Sequence, residues 1–445
     1  MIITSNIKKY YTLFYFHKTI FYDIIYKGDN MLFKELDPIE FDEFVNKHIP
    51  YTPYQSSAYG STMEGEDYKV YYVGIKDNDI VVAASMIMVG NRKSFKYAYA
   101  PRGFLIDYKN RSLLEFFTIN IKKFLGSKGI VALKINPMVV KNIYNSKYEL
   151  IASNPDFDEI YNDLTSLGYR HMGFNNFFEA LKPRFDAIID INDDYFKLFT
   201  NMRKEVRTKV RGAENSGVKI YKGDDEEIQK LYEQAKGKYP RPLKYYEDLY
   251  KNFSKNDEIE LYYAKVDFDI YLKRRQSEFV NDEEAFNMLN EEVLKSGDKA
   301  NQKLISKKMV IDKNLNASKA KLTSAISLTA NHPEGMIIAA VFVVKANKTA
   351  TIMIDSFDKN FSTFNGKHLI IWKLIEKFSK EGYHLFNLGG IANKVDVGNK
   401  YYGLNNYKLG FGAKAYEYIG DLELVTNKPL YLMYNNSVNL FKKKK

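Results

Sequence analysis

The stretch KVYYVGIKDNDIVVAASMIMV, from Lys69 to Val89, decides the fold of this chain. It contains two runs rich in β-branched and aromatic residues, and the turn-forming residues Asp77-Asn78-Asp79 between them predict a β-hairpin. Further along lie a third β-rich run (95–101), a segment with apolar residues at helical spacing (113–125) and the apolar strand IVALKI (130–135). The sequence therefore predicts one α/β unit with the order strand, strand, strand, helix, strand.

The same order returns in the second half of the chain. The run LYYAKVD begins at Leu261, two more runs fill IIAAVFVVKANKTATIMIDSF from Ile337, a helical segment begins at His368, and the strand YHLFNLGGI ends at Ile391. The halves also match locally, since YYVGI and IVVAAS correspond to YYAKV and IIAAVF. This repetition predicts an internal duplication of one α/β unit, although periodicity alone does not name its topology.

Length and composition limit the classes of protein and of site. A chain of 445 residues exceeds what one hydrophobic core usually serves, so we expect two domains, at 31–190 and 191–445. The absence of cysteine excludes disulfides, thiolate nucleophiles and cysteine-ligated zinc, and the six histidines lie too far apart for a metal motif, so we predict no metal. The net charge of +11 favours a polyanionic partner such as RNA or an anionic membrane surface, unless it reflects a lysine-rich proteome.

An inserted arm separates the first two strands of the second half. About seventy residues lie between Asp267 and Ile337, far more than the two to six of an ordinary connection. Apolar residues recur there at spacings of seven and four, on both sides of Ser296-Gly297-Asp298, and Lys308 interrupts the second series. The apolar residues are Leu272, Phe279, Phe286, Val293, Leu304, Ile311, Leu315 and Leu322. We predict an antiparallel coiled-coil hairpin at 268–330.

The basic residues of this arm indicate what it binds. They are Lys273, Arg274, Arg275, Lys299, Lys303, Lys307 and Lys308. Lysine and arginine side chains neutralise phosphates, so the arm is predicted to contact RNA. An ordinary packing hairpin or a dimer contact is the alternative.

Residues 1–30 are interpreted as an extension upstream of the natural start. Lys18, Asp23 and Lys27 interrupt the apolar run before it reaches the ~18 to 20 residues of a membrane span, and no signal-peptide cleavage site precedes Met31. Lys27-Gly28-Asp29-Asn30 can be back-translated into a ribosome-binding sequence placed just ahead of a start codon at Met31. We therefore expect Met31 to be the first residue of the native protein.

Five separated stretches carry a resemblance to a known family. They are YQSSAYG (54–60), YAPRGFLID (99–107), MRKEVRTKVRGAENSGVKI (202–220), FNLGGI (386–391) and GLNNYKLGFGAKAYEYIGDLELVTNKPLY (403–431). In this order, and around an inserted arm, they resemble the Fem family (FemABX type) of peptidoglycan bridge-forming, tRNA-dependent aminoacyltransferases. The resemblance extends over nearly all of residues 31–445.

The resemblance implies a fold, a reaction and partners. The fold is two acetyltransferase-like (GNAT-like) α/β domains, with the coiled-coil arm inserted in the second. The reaction transfers an amino acid from aminoacyl-tRNA, which is a co-substrate rather than a cofactor, to the stem-peptide amine of a peptidoglycan precursor, either lipid II or UDP-MurNAc-pentapeptide. The protein is then expected in the cytoplasm, with peripheral contact to the inner membrane face. The terminal Lys442 to Lys445 would suit an anionic membrane, unless it is a frayed charged tail.

The resemblance also assigns catalytic residues. Lys408, in the motif YKLGFG, matches the family lysine near the acceptor end of tRNA, where a cation stabilises the oxyanion or the leaving ribose oxygen. The alternative is a solvated lysine at a strand end. Asp107 matches the family acid that accepts the amine proton or orients the amine, and the alternative is a turn-capping aspartate.

The remaining site residues are predicted to bind substrates. Tyr407 stands where the family often has phenylalanine and keeps a stacking surface for a terminal base. Arg207 and Arg211 lie one helical turn apart, so they are predicted to hold a substrate diphosphate unless they form a solvated basic face. Gln55 and Tyr59 belong to the early motif, in which Tyr59 replaces the usual tryptophan.

One position departs from the family pattern. Met63 stands eight residues after Gln55, where some relatives place a phosphate-binding lysine. Either another cation such as Lys69 substitutes for it, or the accepted precursor differs and is lipid-linked rather than nucleotide-linked.

Two other classes of function stay open. A coenzyme-A-dependent N-acyltransferase of related fold would carry a glutamine- or arginine-led, glycine-spaced pyrophosphate loop before a helix, and the sequence has none. A non-catalytic protein that binds tRNA or a membrane is the second alternative. The amino acid donated, the position acylated and the oligomeric state cannot be predicted from these residues.

Overall fold

The structure is a computed structural model that describes residues 30–92, 94–296 and 302–442. The predicted extension, apart from Asn30, lies outside the described residues, and so do the turn residues Gly297 and Asp298 of the arm and its Lys299.

Sixteen strands are present in the described part of the chain. They are β1 (Met31–Glu35), β2 (Lys69–Asp77), β3 (Ile80–Arg92), β4 (Phe95–Ala100), β5 (Ile130–Ile135), β6 (Val140–Tyr144), β7 (Leu150–Ser153), β8 (Tyr169–His171), β9 (Phe185–Asp190), β10 (Val218–Gly223), β11 (Ile259–Val266), β12 (Met336–Ala346), β13 (Thr349–Phe357), β14 (Leu385–Ile391), β15 (Lys414–Tyr418) and β16 (Leu422–Val425).

Helices lie between and after these strands in the same described residues. They are α1 (Pro38–Val45), α2 (Ser57–Glu64), α3 (Arg111–Ser127), α4 (Phe157–Ser166), α5 (Tyr195–Asn201), α6 (Lys204–Asn215), α7 (Ile228–Ala235), α8 (Leu243–Ser254), α9 (Phe268–Ser296), α10 (Gln302–Asn331), a 3₁₀ helix (Lys359–Phe364), α11 (Gly366–Lys380), α12 (Tyr402–Leu409) and α13 (Lys428–Lys442).

The first sheet is built around the predicted hairpin. β2 and β3 pair antiparallel, and the turn residues Asn78 and Asp79 have φ of 49° and 64°, the positive values that a two-residue hairpin turn requires. β1 and β4 add on either side, also antiparallel, and β5 pairs with β4 in parallel after the crossover helix α3. Leu114, Phe117 and Ile121 of α3 are fully buried in the core beneath this sheet.

The second sheet repeats this plan. β10, β11, β12 and β13 pair antiparallel in succession, and β14 pairs with β13 in parallel after α11. The connection between β11 and β12 corresponds to the two-residue turn between β2 and β3, but it holds α9 and α10. The predicted duplication and the predicted insertion are therefore both confirmed.

Each sheet also takes strands from the other half of the sequence. The first sheet has the order β1-β2-β3-β4-β5-β16-β8, so β16, from near the carboxyl terminus, lies between two first-half strands. The second sheet has the order β10-β11-β12-β13-β14-β9-β15-β6-β7, and β6, β7 and β9 come from the first half. The domain division at 190 and 191 stays a prediction, and the two sheets exchange strands across it.

A shared apolar core fixes the two halves against each other. Its buried members from both halves include Met63, Met86, Leu231, Tyr246, Leu249 and Phe342. Helix α2 packs on α8, where Asn252 Nδ2 donates to Thr62 Oγ1 over 3.2 Å. Because close-packed interiors resist sliding, the first-half motifs are held beside the second sheet.

The arm is a pair of packed helices with polar residues in its seam. Leu289 of α9 and Ala325 of α10 are buried between them. Arg275 also lies in the seam, where it pairs with Glu278 over 2.6 Å and its side chain is only 11% exposed. Lys308 lies 5.8 Å from the Phe286 ring. Arg275 is therefore not the open phosphate contact that its charge predicted, whereas Lys303 and Lys307 are exposed.

Candidate active site

The site lies at the end of β14, where α12 packs on the glycine pair Gly389 and Gly390. Asn405 of α12 is buried and binds the chain just beyond this strand end: its Nδ2 donates to the carbonyls of Ala392 and Asn393, and its Oδ1 accepts from Ala392 N, each over 3.0 Å. A side-chain amide that satisfies three backbone groups fixes the helix to the strand.

Lys408 lies one helical turn after Asn405, on the same face of α12. Its Nζ donates to the Gly390 carbonyl over 2.9 Å, and only 8% of the residue is exposed. Gly389 has a φ of 77°, and a Cβ at that position would lie 3.5 Å from Lys408 Nζ. The positive φ is what favours glycine here, since a Cβ at 3.5 Å would make only an ordinary van der Waals contact with the ammonium group.

Burial and neighbouring charges set the protonation of Lys408. Burial lowers its pKa to about 8, Asp355 opposes this shift, and Lys238 and Lys367 add to it. Asp355 is buried on β13, where Lys238 Nζ donates to it over 2.6 Å, Tyr239 OH over 3.0 Å, and Lys367 forms an ion pair. Burial favours the neutral acid, but Lys367 and Lys238 outweigh it, so the pKa of Asp355 is held well below its usual range.

A second buried acid links the first half to the same strand end. Asp186 of β9 pairs with Arg102 over 3.0 Å, and both side chains are buried. Asn387 Nδ2 lies 3.4 Å from Asp186 Oδ2, while its Oδ1 accepts from Gly389 N over 2.7 Å. The motif YAPRGFLID thus reaches the glycine pair through Arg102. Sequence reasoning selected only the final acid of this motif as functional.

Gln55 is fully buried and binds backbone groups in this structure. Its Nε2 donates to the carbonyls of Met86 and Pro101, over 3.1 and 2.9 Å, and its Oε1 accepts from Met86 N over 2.8 Å. These bonds hold the loop that carries Arg102. The predicted contact of Gln55 with substrate stays a prediction, and the observed contacts are those of a positioning residue.

Tyr59 and Met63 lie in different surroundings. Tyr59 is buried, and its ring centroid lies 5.2 Å from that of Tyr54 in a T-shaped arrangement and 5.8 Å from Lys182 Nζ. Met63 is 0% exposed within the shared core. A side chain at position 63 therefore faces apolar neighbours in the shared core.

Asp107 is exposed in the turn before α3. Its Oδ1 accepts from Lys109 N over 3.0 Å, and its carbonyl accepts from Asn110 N over 3.1 Å. This is the geometry of a turn-capping aspartate. The carboxylates that influence Lys408 are Asp355 and Asp186 instead, and both were missed because they lie far from Lys408 in sequence.

Arg207 and Arg211 point to one side of α6, toward α5. Arg207 Nη1 donates to the carbonyls of Thr200 and Met202, over 2.6 and 2.8 Å, so its guanidinium caps the end of α5. Arg211 is exposed, with its guanidinium 5.2 Å from the Phe199 ring. The diphosphate contact predicted for both stays a prediction.

The start of α6 reaches the site through a residue that the sequence did not single out. Arg203 N donates to the Gly410 carbonyl over 2.8 Å, and its guanidinium binds Asn406 Oδ1 and the Ser146 carbonyl. The loop after Lys408 is therefore fixed by the basic motif that opens the second half.

Tyr407 belongs to a half-buried aromatic cluster beside Lys408. Its ring centroid lies 4.9 Å from that of His368, 5.4 Å from that of Phe411 and 4.7 Å from Lys367 Nζ. Burial, with Lys209 and Lys367, lowers the pKa of His368 to about 3, so this imidazole is neutral at physiological pH. The Tyr407 ring stands nearly perpendicular to the rings of His368 and Phe411, so the cluster offers an uncharged aromatic surface next to Lys367.

Two features are absent from residues 30–92, 94–296 and 302–442. No group of three histidine, aspartate or glutamate side chains is placed to hold a metal ion. Across the same residues, no helix combines the length and apolar character that crossing a membrane requires.

Comparison with known proteins gives consistent matches over most of the chain. Residues 36–438 match the model of the FemAB family. Aminoacyltransferase FemA of Staphylococcus epidermidis is 27% identical over 429 residues, which cover 93% of this chain and 100% of the relative. Aminoacyltransferase FemA of Staphylococcus aureus is 26% identical over 420 residues, covering 91% and 97%.

One solved structure shows the same fold. The crystal structure of FemX superposes with a TM-score of 0.69 at 20% identity, covering 90% of this chain and 99% of that one. The predicted fold class, two acetyltransferase-like α/β domains with an inserted helical arm, is confirmed.

Proposed function

The chain belongs to the FemAB family, and on that premise we propose that it transfers an amino acid from aminoacyl-tRNA to the stem-peptide amine of a peptidoglycan precursor. The relatives are aminoacyltransferases by name, and they align over nearly their full length. The observation that carries the proposal is the buried Lys408 ammonium at the Gly389–Gly390 strand end, within the motif that first suggested it.

The reaction needs charge stabilisation at one place. The acceptor nitrogen forms a bond to the ester carbonyl carbon, the carbonyl oxygen becomes an oxyanion, and the bond to the ribose oxygen then breaks as the amine proton passes to that oxygen. A fixed cation in a site of low dielectric stabilises either oxygen strongly. With a pKa of about 8, Lys408 is mostly protonated at neutral pH and supplies that cation.

The aromatic cluster supports the proposed contact with the tRNA end. Tyr407 and His368 present ring surfaces on which a terminal base stacks, and base stacking tolerates any sequence. Lys209, which is exposed and lies near His368, suits an adjoining phosphate, whereas Lys367 is paired with Asp355. Lys303 and Lys307 are exposed on the arm, and the arm is proposed to contact the tRNA body through them.

On the acceptor side we propose separate roles for the remaining residues. Arg211, which is exposed, contacts the diphosphate, and Arg207 holds α5 in place for it. Gln55 positions the Arg102 loop, and Asp107 orients the amine only if the turn before α3 opens toward the site. Lipid II and UDP-MurNAc-pentapeptide both carry the diphosphate. A lipid-linked acceptor would place the enzyme in the cytoplasm, at the inner membrane face.

Transfer of a residue from charged tRNA tests the proposal. The protein is incubated with a pool of aminoacylated tRNAs and either precursor, and the product is analysed by mass spectrometry for the mass of one added amino acid. Lys408→Met, which is expected to transfer far more slowly, is assayed beside the wild type. If no charged tRNA yields an adduct on either precursor, or if acetyl-coenzyme A yields one instead, the proposed function is wrong.

A further inference from the structure

Lys182 is a half-buried cation that sits on an aromatic ring next to the site. Its Nζ lies 3.1 Å from the Tyr54 ring centroid and 5.8 Å from that of Tyr59. The next residue, Pro183, packs on Gly390 so closely that no Cβ would fit there. Lys182 therefore directly precedes a residue that packs on Gly390, whose carbonyl accepts from Lys408 Nζ.

Among the described residues, the cations that neighbour Lys182 each pair with an acid, and Lys182 does not. Arg102 pairs with Asp186, and Arg241 pairs with Glu66 over 2.8 Å. Within the described parts of the chain, no carboxylate oxygen lies within 4.0 Å of Lys182 Nζ. Burial, followed by Arg102 and Arg241, lowers the pKa of Lys182 well below its usual range, and Asp186 opposes this only in part.

The surroundings of Lys182 are built from hydroxyl-bearing rings. The rings of Tyr54 and Tyr59 meet in a T-shaped arrangement with centroids 5.2 Å apart, and the Arg241 guanidinium lies 5.4 Å from the Tyr245 ring. A cation–π contact holds the lysine against one ring face, yet a half-buried ammonium still lacks hydrogen-bond acceptors for its protons. An anion placed at Lys182 would supply those acceptors and would favour the protonated form of the side chain, against the effect of burial.

We propose that Lys182, above the rings of Tyr54 and Tyr59, forms a subsite for an anionic group of the acceptor, a carboxylate or a phosphate. This inference rests on the proposed function for the identity of the acceptor. It also accounts for the methionine at position 63, where some relatives have a phosphate-binding lysine. Met63 is buried in the core one helical turn after Tyr59, so the cation for the acceptor comes from the segment before β9 and not from α2.

Direct binding tests the subsite without any transfer. Three fluorescent acceptors are compared by anisotropy: UDP-MurNAc-pentapeptide, the same molecule with an amidated carboxyl terminus, and MurNAc-pentapeptide lacking the nucleotide diphosphate. The variants are Lys182→Met, Lys182→Arg and a matched control, Lys141→Met, whose Nζ likewise lies over a ring, 4.2 Å from the centroid of Phe174. Melting temperatures are measured for all four proteins.

Lys182→Met is expected to weaken binding of the full acceptor by about ten- to hundredfold, as loss of one charge-assisted hydrogen bond does. Lys182→Arg retains most of the affinity, and Lys141→Met changes nothing. The analogue without the recognised anion binds the wild type and Lys182→Met with equal affinity, whereas the analogue that keeps this anion still binds Lys182→Met more weakly, which tells carboxylate from phosphate.

Three results overturn the subsite: equal affinity of wild type and Lys182→Met, an equal loss for all three acceptors together with a lower melting temperature, or no binding of any acceptor to the wild type. Intact acceptor binding with the expected Lys182 dependence, but no transfer from any charged tRNA, overturns the proposed function alone.

Discussion

Lys408 Nζ donates a 2.9 Å hydrogen bond to the carbonyl oxygen of Gly390, so the ammonium group is anchored on the strand that carries the glycine pair. Asn405 binds Ala392 from the same helix face. Helix α12 and the end of β14 are therefore fixed to each other. The hydrogen bond to a backbone carbonyl also fixes the position of the Lys408 ammonium group.

Lys408→Met is expected to lower kcat by about 10² to 10³, the usual cost of removing one group that stabilises an oxyanion. The measurement is single-turnover transfer from charged tRNA. Lys400, exposed in the loop before α12, provides the control Lys400→Met, which should transfer at the wild-type rate. Equal rates for wild type and Lys408→Met would remove Lys408 from the mechanism.

The pH dependence of transfer should follow the charge of Lys408. Its pKa is lowered to about 8, so the cation is present below that pH and is lost as pH rises through it. The transfer rate should fall on this alkaline limb. Asp355→Asn removes a charge that raises the pKa of Lys408 and should move the limb to lower pH, whereas Lys238→Met removes a charge that lowers it and should move the limb upward. Shifts in the same direction would exclude this assignment.

Gln55→Leu is expected to destabilise the protein by ~2 to 4 kcal/mol, because Met86 N and the carbonyls of Met86 and Pro101 would lose their partner while buried. Thermal and urea unfolding measure the effect. Gln229→Ala is the control, since the exposed Gln229 side chain donates to the exposed Glu233, and it should change stability by less than ~0.5 kcal/mol. A stable Gln55→Leu protein with weak acceptor binding would favour the direct contact predicted from the motif.

Substitutions of Arg211 and Arg207, the two arginines of α6, should affect substrate binding and stability differently. Arg211→Met should leave the melting temperature unchanged and raise KM for a diphosphate-bearing acceptor about tenfold, through loss of a charged hydrogen bond. Arg207→Met should lower the melting temperature, because the carbonyls of Thr200 and Met202 lose their donor. An unchanged KM in Arg211→Met would mean that the diphosphate is bound elsewhere.

Charge reversal on the arm tests its proposed binding of tRNA. Lys303→Glu combined with Lys307→Glu should weaken tRNA binding and reduce the salt slope of the affinity by about one unit for each phosphate that is no longer neutralised. Filter binding over a salt series measures both. Lys34→Glu combined with Lys47→Glu changes the net charge equally on the first half, where both lysines are exposed. The same slope in both pairs would show only a general charge effect.

The hairpin, the duplication and the arm could be predicted because each depends on local pattern: turn residues at 77–79, repeated strand order, and apolar residues seven apart. Lys408 was found through its motif. The acids around Lys408 could not be predicted, because Asp355 and Asp186 come close enough to affect its pKa only when β13 and β9 join one sheet. Gln55 shows a different limit, since a glutamine that binds backbone and one that binds a ligand look alike in sequence.

The exchange of strands has a consequence for how the protein is made. Residues are synthesised in order, and domains of most chains fold as they emerge from the ribosome. Here β16 (Leu422–Val425) pairs with β5 on one side and with β8 on the other. The edges of β5 and β8 that face β16 therefore stay unpaired until nearly all of the chain has left the ribosome. Unpaired edges recruit other strands. Nascent chains stalled before residue 422 should therefore depend on chaperones to a degree that chains released after it do not.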